Sequence, residues 1–205
     1  HIEFLTTDLE RARDFYVDLV GLHETARDGS RIYLRCTEDK QHHTFVLRKA
    51  KSAGVGPIGF TVAEDSDLDR MKTRFESLGL PTRWAGNDML GQGRTLRVQD
   101  PFGFVVDYYA EMDQVTWLVQ QHHLHKGASP TRVDHVNVLT PDAQTAYEWY
   151  TGELGFGCAE LTESDPPDFP LDDAARLYQA IFGPVIRDLS RIRKLQILAD
   201  GPFQS

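Results

Sequence analysis

The sequence predicts an α+β fold of tandem βαβββ modules, followed by an incomplete third module and a helical C-terminal tail. The first observation behind this prediction is an internal repeat, because residues 1–22 return without a gap as residues 135–156. The second is that short strand patterns and one amphipathic helix follow each other in the same order twice between residues 1 and 111. The identical residues of the repeat are His1/His135, Leu5/Leu139, Thr6/Thr140, Asp8/Asp142, Ala12/Ala146, Tyr16/Tyr150 and Gly21/Gly155.

The first module opens with a strand and a capped helix. Residues 2–6 alternate in the manner of a short strand. Thr7 and Glu10 have the spacing of a capping box, which predicts that a helix starts at Thr7. Gly21 suits the left-handed residue that ends such a helix. Leu9, Ala12, Phe15 and Leu19 form the predicted apolar face of the helix, and further strands are predicted at 31–36, at 43–49 and near 23–27.

The second module repeats this order after a Gly-rich link at 53–57. Asp100-Pro101-Phe102-Gly103 has good turn chemistry and separates its last two strands. The predicted elements are a strand at 59–63, a helix at 67–79 and strands at 81–85, 94–99 and 104–109. The predicted core of the two modules comprises Phe4, Leu5, Leu9, Ala12, Phe15, Val46, Phe60, Val62, Phe75, Leu96 and Val105.

The third module is predicted to have its first strand and helix but to lack the strands that would complete it. Pro141 stands at the start of its helix, where proline is favoured, and Gly155 stands at the end. The predicted elements are a strand at 133–139, a helix at 142–154, a strand near 158–161, and then an unrelated helix at 171–189 and strand at 194–199. The predicted organisation is a two-module domain at 1–111, a partly helical connector at 112–131, a truncated second domain at 132–163, and a linker with a foreign helix and strand at 164–205.

Composition narrows the class of protein. The 205-residue chain has a net charge of −9 and no long basic run, which argues against nucleic acid as a partner. No apolar run reaches the roughly 18 residues that cross a bilayer, so no membrane segment is expected. Cys36 and Cys158 form no metal-binding pair or disulfide framework, so a cytoplasmic location is expected. Because the sequence starts at His1, inside the repeated unit, we expect a fragment.

Several segments, in order and at matching spacing, resemble the first half of type I extradiol ring-cleaving dioxygenases. They are DLERARDFYVDLVGL, IYLRC, QHHTFVLRKA, TLRVQDPFGFVVDYYAE and RVDHVNVLTPD. The resemblance covers residues 1 to about 163 and is greatest to homoprotocatechuate 2,3-dioxygenases. It implies the vicinal-oxygen-chelate (glyoxalase-like) fold, in which paired βαβββ modules curl around a funnel. That fold agrees with the repeat.

The resemblance also implies a metal centre. Family members hold Fe(II) or Mn(II) with two His and one Glu, leaving positions open for a catechol and O₂. His135 matches the first His ligand. The second His, the Glu and the acid/base His of the family map onto no residue of this sequence. The resemblance therefore implies meta-cleavage of a catechol such as 3,4-dihydroxyphenylacetate, while tight metal binding by this chain is not expected. It leaves a homo-oligomer open.

The other histidines have plainer interpretations. His1 and Asp107 hold the equivalent ligand positions of the first domain, where Gly59 takes the middle position. We interpret them as relics of a metal site, since two ligands make a poor one. The pair His42-His43 lies in the same domain and is interpreted as structural or surface. His122, His123 and His125 are interpreted as a solvated loop.

Residues 172–205 resemble the opening of a CHAT domain, a caspase-like peptidase fold, without its catalytic His and Cys. The sequence thus leaves three functional hypotheses. The first is an extradiol dioxygenase fragment with an incomplete metal triad. The second is a metal-free module that binds a small apolar molecule in the concave sheet. The third is a chimeric fragment without function.

Overall fold

One mixed sheet organises the first two modules of the computed structural model, which describes residues 1–86 and 88–158. The chain divides into two compact units, His1–Tyr147 and Glu148–Ser205. The strands of the first unit are β1 (Ile2–Thr6), β2 (His23–Arg27), β3 (Arg31–Arg35), β4 (Phe45–Lys49), β5 (Gly54–Thr61), β6 (Thr82–Trp84), β7 (Thr95–Gln99) and β8 (Val105–Tyr109). The helices are α1 (Leu9–Arg13), which continues as a π-helical segment (Asp14–Val20), α2 (Asp65–Ser77), a 3₁₀ turn (His122–Leu124) and α3 (Ala143–Gly152).

The strand order is symmetric about its centre, at β2-β3-β4-β1-β5-β8-β7-β6. Each module places its opening strand beside its own last strand in parallel, β1 beside β4 and β5 beside β8. The two opening strands then pair antiparallel with each other, and Ile2 lies opposite Ile58. This arrangement confirms the α+β fold of βαβββ modules that the repeat predicts.

The apolar core lies between the sheet and the helices. On the first module it includes Ile2, Ile32, Leu34, Phe45 and Leu47, all buried. Of the predicted core residues, Val46, Phe75 and Leu96 are confirmed as buried. Four others are partly buried and pack against the core: Phe4, Leu9, Ala12 and Phe60. Buried core residues that the sequence prediction omitted include Ile2, Tyr33, Ile32, Leu34, Leu47, Ile58, Leu68, Val98, Tyr108 and Tyr109.

The first helix differs from its prediction at its start and in the geometry of its second half. Its N-cap is Asp8 rather than Thr7, because the Asp8 carboxylate accepts the Arg11 N–H at 3.1 Å. After Arg13 the helix widens into the π-helical segment, which changes the number of residues per turn. Phe15 therefore turns outward, with half of its surface exposed, and its predicted place in the core is wrong.

The same widening affects the end of the helix. Leu19 is also exposed, while Tyr16, Val17 and Val20 pack against the core in its place. Gly21 ends the segment with a φ of 91°, as its position in the sequence predicts.

In the second module the predicted Gly-rich link is part of a strand. β5 begins at Gly54 and pairs with β1. Glycine at position 56 brings no side chain against Glu3, whose carboxylate an added Cβ would overlap. α2 begins with a capping box formed by Glu64 and Asp67. The turn at Asp100 is confirmed, since its carboxylate accepts the N–H groups of Phe102 and Phe104.

The connector after β8 follows the surface of the first module through backbone hydrogen bonds. The Leu118 N–H donates to the Thr37 carbonyl at 3.1 Å, and the Thr37 N–H donates to the Pro130 carbonyl at 3.2 Å. Only the 3₁₀ turn in this segment is helical within the described part of the chain.

The opening strand predicted at 133–139 is absent, and this prediction is wrong for the described residues. β1 has a partner on each edge, whereas residues 133–139 have none among residues 1–86 and 88–158, so no ladder forms. The helix that follows is confirmed as α3, and the Asp142 carboxylate accepts the Thr145 N–H at its start.

Of the second unit, the structure describes residues 148–158. They contain the end of α3, then Gly155 with a φ of 69°, and the Phe156 N–H donates to the Tyr150 carbonyl. The strand predicted near 158–161 lies outside the described residues apart from Cys158. The predicted elements at 171–189 and 194–199, and the CHAT-like segment 172–205, also lie outside them.

Candidate functional site

The three ligand-equivalent positions of the first domain meet at the centre of the sheet. His1 and Gly59 lie opposite each other, and each N–H group donates to the other's carbonyl, at 3.0 and 2.8 Å. Gly59 is in turn aligned with Asp107 in the pairing of β5 with β8. The topology therefore places all three positions side by side, as in a site built from adjacent strands.

The side chains at these positions are engaged in other contacts. The His1 ring lies against Gly59, where an added Cβ would overlap it. Asp107 is fully buried, and both of its carboxylate oxygens accept hydrogen bonds from Arg97, at 2.6 Å each. Burial raises the pKa of the Asp107 carboxyl, and the Arg97 guanidinium opposes that rise. Asp107 is thus a partner of arginine in this structure.

A buried carboxylate beside this site was not predicted from the sequence. Glu3, with 1% of its surface exposed, accepts hydrogen bonds from Arg31 at 2.8 Å and from Arg48 at 2.7 Å. Its position in β1 points away from the helix-covered face, since Ile2 and Phe4 occupy that face. The available signal was Glu3 itself, the one charged residue in the strand Ile2–Thr6.

His43 lies in the packed interior, whereas its neighbour His42 is half-buried. His43 is fully buried, and its ring lies 5.1 Å from the His1 ring and 5.1 Å from the Tyr33 ring. Its Nδ1 lies 3.0 Å from the Nδ1 of His42. Burial lowers the pKa of His43 to about 3, so this imidazole is neutral at physiological pH. Tyr33, Val46 and Met89 form an adjacent buried cluster.

His135, the predicted metal ligand, lies in the extended segment that opens the third module. Its side chain is 74% exposed, and its Nδ1 lies 3.0 Å from an Asp134 carboxylate oxygen. Within residues 1–86 and 88–158, no group of three or more His, Cys, Asp or Glu side chains is arranged to hold a metal ion. The described residues therefore bring His135 together with no second and third ligand.

His1 and His135 nevertheless line the same cavity, of about 400 Å³. Its walls are largely apolar, with Ile58 and Phe60 from β5 and Val133 and Val136 from the extended segment. A larger open cleft, of about 790 Å³, is lined by the loop segments 89–93 and 110–114 and by Gln41 and Thr61, none of which is a histidine. The first residues of the two copies of the repeat, His1 and His135, thus meet at the smaller cavity.

The connector histidines are largely solvated, in the manner expected for a surface loop. His122 and His123 are exposed, whereas His125 is half-buried and its Nε2 lies 2.9 Å from the Leu118 carbonyl.

Among the helices of the described residues, none is both long and apolar enough to cross a membrane.

Comparison with known proteins gives consistent matches over the same part of the chain. The family model described as "Glyoxalase/Bleomycin resistance protein/Dioxygenase superfamily" matches residues 1–108. The chain is 28% identical over 169 residues to a manganese-dependent 2,3-dihydroxybiphenyl 1,2-dioxygenase of Geobacillus genomosp. 3, covering 78% of this chain and 54% of that protein. It is 30% identical over 169 residues to a metapyrocatechase of Geobacillus stearothermophilus, covering 78% of this chain and 51% of that protein.

Solved structures agree with the sequence matches. Homoprotocatechuate 2,3-dioxygenase from Arthrobacter globiformis superposes with a TM-score of 0.73 at 35% identity, covering 77% of this chain and 49% of that one. The Brevibacterium fuscum enzyme in complex with 3,4-dihydroxyphenylacetate gives a TM-score of 0.71 at 35% identity, covering 77% and 49%. These matches confirm the resemblance to extradiol dioxygenases. The chain spans about half the length of the curated relatives it matches, and it belongs to the glyoxalase/bleomycin resistance protein/dioxygenase superfamily.

Proposed function

We propose that this chain is part of an extradiol catechol dioxygenase. In this proposal residues 1–111 form the domain that carries no catalytic metal, the connector 112–131 follows, and residue 132 begins the catalytic-type domain. The observation that carries the proposal is the third copy of the opening unit, which presents His135 at the ligand position and keeps its side chain exposed. The corresponding position of the first domain is closed by the packing of His1 on Gly59.

The relatives support the reaction class. They include metapyrocatechases, a manganese-dependent dioxygenase, and an enzyme crystallised with 3,4-dihydroxyphenylacetate. We propose a catechol and O₂ as substrates, with oxygen inserted next to, and not between, the two hydroxyl groups. Fe(II) or Mn(II) would supply the coordination of both substrates. The two free cysteines, one of them buried, support the cytoplasm as the location.

The described residues do not by themselves fit that metal centre. A facial site takes two His and one carboxylate, and His135 is accompanied only by Asp134, its neighbour in sequence. No catalytic step is therefore assigned to residues 1–86 and 88–158. Their proposed contribution is structural support for the site and one imidazole ligand.

A chimeric enzyme tests this proposal. Residues 1–158 of this chain would replace the matching half of the Arthrobacter globiformis enzyme, and the remaining half would supply the second His and the Glu that the family resemblance implies. With 3,4-dihydroxyphenylacetate, O₂ and Fe(II) or Mn(II), we expect the yellow ring-cleavage product. His135→Ala should abolish its formation, whereas His123→Ala, an exposed histidine of the connector, should leave it unchanged. A folded chimera that retains turnover after His135→Ala would contradict the assignment.

The cavity at His1 and His135 favours a second candidate function, the binding of a small apolar molecule without metal. Its volume of about 400 Å³ and its apolar walls suit an aromatic ring. Calorimetric titration of the chain with a catechol in the presence of EDTA separates the two candidates. Saturable binding that is lost on Phe60→Ala, together with an inactive chimera, would favour the binding module over the dioxygenase.

A further inference from the structure

A smaller cavity lies near the β6 edge of the sheet, on the face away from α2. The Tyr108 ring lies 5.5 Å from the Phe75 ring of α2, so its strand neighbour Asp107 faces the other side, where this cavity is. The cavity volume is about 250 Å³, below the about 300–1,000 Å³ of typical ligand sites, which suits a small molecule. The lining comprises Pro81, Thr82, Arg83, Arg97, Gln99 and Val105. Among these described lining residues, the two that carry a charge are both arginines.

Strand pairing places the two arginines side by side. Arg83 of β6 is aligned with Arg97 of β7, and Arg97 is aligned in turn with Asp107 of β8. Residues directly opposite on antiparallel strands have Cβ atoms about 4.5–5.5 Å apart, and like charges at such positions are destabilising. The second guanidinium is therefore unfavourable at this position unless an anion lies beside it.

The buried carboxylate of Asp107 occupies only part of this pair. Its two oxygens accept hydrogen bonds from the Nε and Nη2 of Arg97, at 2.6 Å each. This bidentate contact fixes the plane of the guanidinium and leaves its Nη1 to other partners. In the described part of the chain, the Arg97 Nη1 lies 3.5 Å from the Asp88 Oδ2, and the Arg83 Nη2 lies 3.4 Å from the same oxygen. Both separations exceed the about 2.7–2.9 Å of a strong charge-assisted hydrogen bond.

We propose that this cavity binds a small organic carboxylate, which bridges the Arg97 Nη1 and the Arg83 guanidinium. The two nitrogens are close enough to share one anion, because both approach the same Asp88 oxygen. Guanidinium groups match the geometry of a carboxylate, and Pro81 and Val105 offer apolar contact to the rest of the ligand.

Asp88 is the internal competitor for this site. Its side chain is 41% exposed and makes only long contacts with the two arginines, so it can move away as the ligand enters. The cavity shares no lining residue with the cavity at His1 and His135. The proposal therefore does not depend on the dioxygenase assignment.

Backbone amide resonances of the isotope-labelled chain, followed as benzoate is added, test the site. We expect saturable shifts centred on residues 82–83, 97–99 and 105, and at least tenfold weaker binding of benzamide, which has a similar shape without the charge. Inorganic phosphate identifies the kind of anion, and we expect it to bind more weakly than benzoate because it leaves the apolar walls uncovered. No saturable shift at these residues, benzamide binding within tenfold of benzoate, or phosphate binding at least as tight as benzoate would each overturn the proposal.

Substitutions beside the cavity test the two roles separately. Arg83→Met should weaken benzoate binding at least tenfold, whereas Arg70→Met, which removes an exposed arginine of α2, should leave it unchanged. Asp88→Asn removes the competing carboxylate and should tighten binding, whereas Asp113→Asn, which removes an exposed charge elsewhere, should not. Unchanged affinity in Arg83→Met, or affinity that does not rise in Asp88→Asn, would refute the site.

Urea denaturation separates lost binding from lost folding. Arg83 has 55% of its side chain exposed, so Arg83→Met should not lower the denaturation midpoint. No metal or catechol enters these measurements, so their outcome is separate from the outcome of the dioxygenase test.

Discussion

Replacing Gly21 by alanine tests whether the connector is locked onto the first module. Gly21 ends the π-helical segment with a φ of 91°, and an added Cβ would overlap the Lys126 carbonyl oxygen. The connector in turn completes the helix end, because the Ala128 and Ser129 N–H groups both donate to the Val20 carbonyl at 3.1 Å. Alanine at position 21 must therefore displace the connector as well as adopt a left-handed conformation.

The two costs can be separated. A left-handed conformation costs a non-glycine residue about 1–2 kcal/mol. Displacing the connector loses two backbone hydrogen bonds or more, at about 1 kcal/mol each. We expect Gly21→Ala to lower the free energy of unfolding by about 3–5 kcal/mol, a large part of the stability of a domain of this size.

Gly103→Ala provides the matched control. Gly103 has a φ of 89°, and nothing lies within 4 Å of an added Cβ, so only the conformational cost applies. Urea denaturation of both variants should show a loss for Gly21→Ala that exceeds the loss for Gly103→Ala by about 2–3 kcal/mol. Hydrogen exchange at Ala128 and Ser129 should accelerate only in the first variant. Equal destabilisation of the two variants would refute the locked connector.

Three further predictions concern the interior of the first domain. Because His43 is neutral when folded, with a pKa of about 3 against 6.5 unfolded, stability should fall by about 1.4 kcal/mol per pH unit as pH drops below 6.5 towards 3. Denaturation at several pH values should show a shallower slope in His43→Leu, and an unchanged slope would contradict the assignment. Arg97→Met should lower the free energy of unfolding by about 3–5 kcal/mol, because it leaves Asp107 buried and unpaired. Adding Asp107→Leu should restore most of that free energy in a double-mutant cycle. By urea denaturation, Leu96→Ala should lower the free energy of unfolding by about 2–5 kcal/mol and Phe15→Ala by less than about 1 kcal/mol, since only Leu96 is buried. Similar losses in the two variants would contradict the placement of Phe15 outside the core.

The fold could be predicted from the sequence wherever local pattern and tertiary pairing agree. β3, β7 and β8 lie within one or two residues of their predicted bounds, and Gly21 ends the first helix as expected. The exposure of Phe15 could not be predicted, because helical periodicity assumes a constant number of residues per turn and the π-helical segment breaks it. The segment 133–139 shows the opposite limit, since its strand pattern forms no strand where residues 1–86 and 88–158 offer it no partner.

The candidate site was only partly accessible from the sequence. Its three equivalent positions could be predicted, because a repeat maps one module onto the next, and the pairing of β5 with β8 aligns Gly59 with Asp107. The hydrogen-bond partners of the buried carboxylates at and beside these positions could not be predicted. Arg97 lies ten residues before Asp107, and Arg31 and Arg48 reach Glu3 from two other strands. Such pairings depend on strand register, which local patterns do not specify.

The assignment of a single metal ligand to the described part of the chain is tested most directly by titrating the purified 205-residue protein with Mn(II). The electron paramagnetic resonance signal of the free ion reports binding, and 3,4-dihydroxyphenylacetate with O₂ reports turnover. Because one imidazole cannot hold the ion against water, we expect the free-ion signal to persist at equimolar protein and no yellow product to form. Loss of the signal at one equivalent, with ring cleavage that depends on His135, would contradict this assignment.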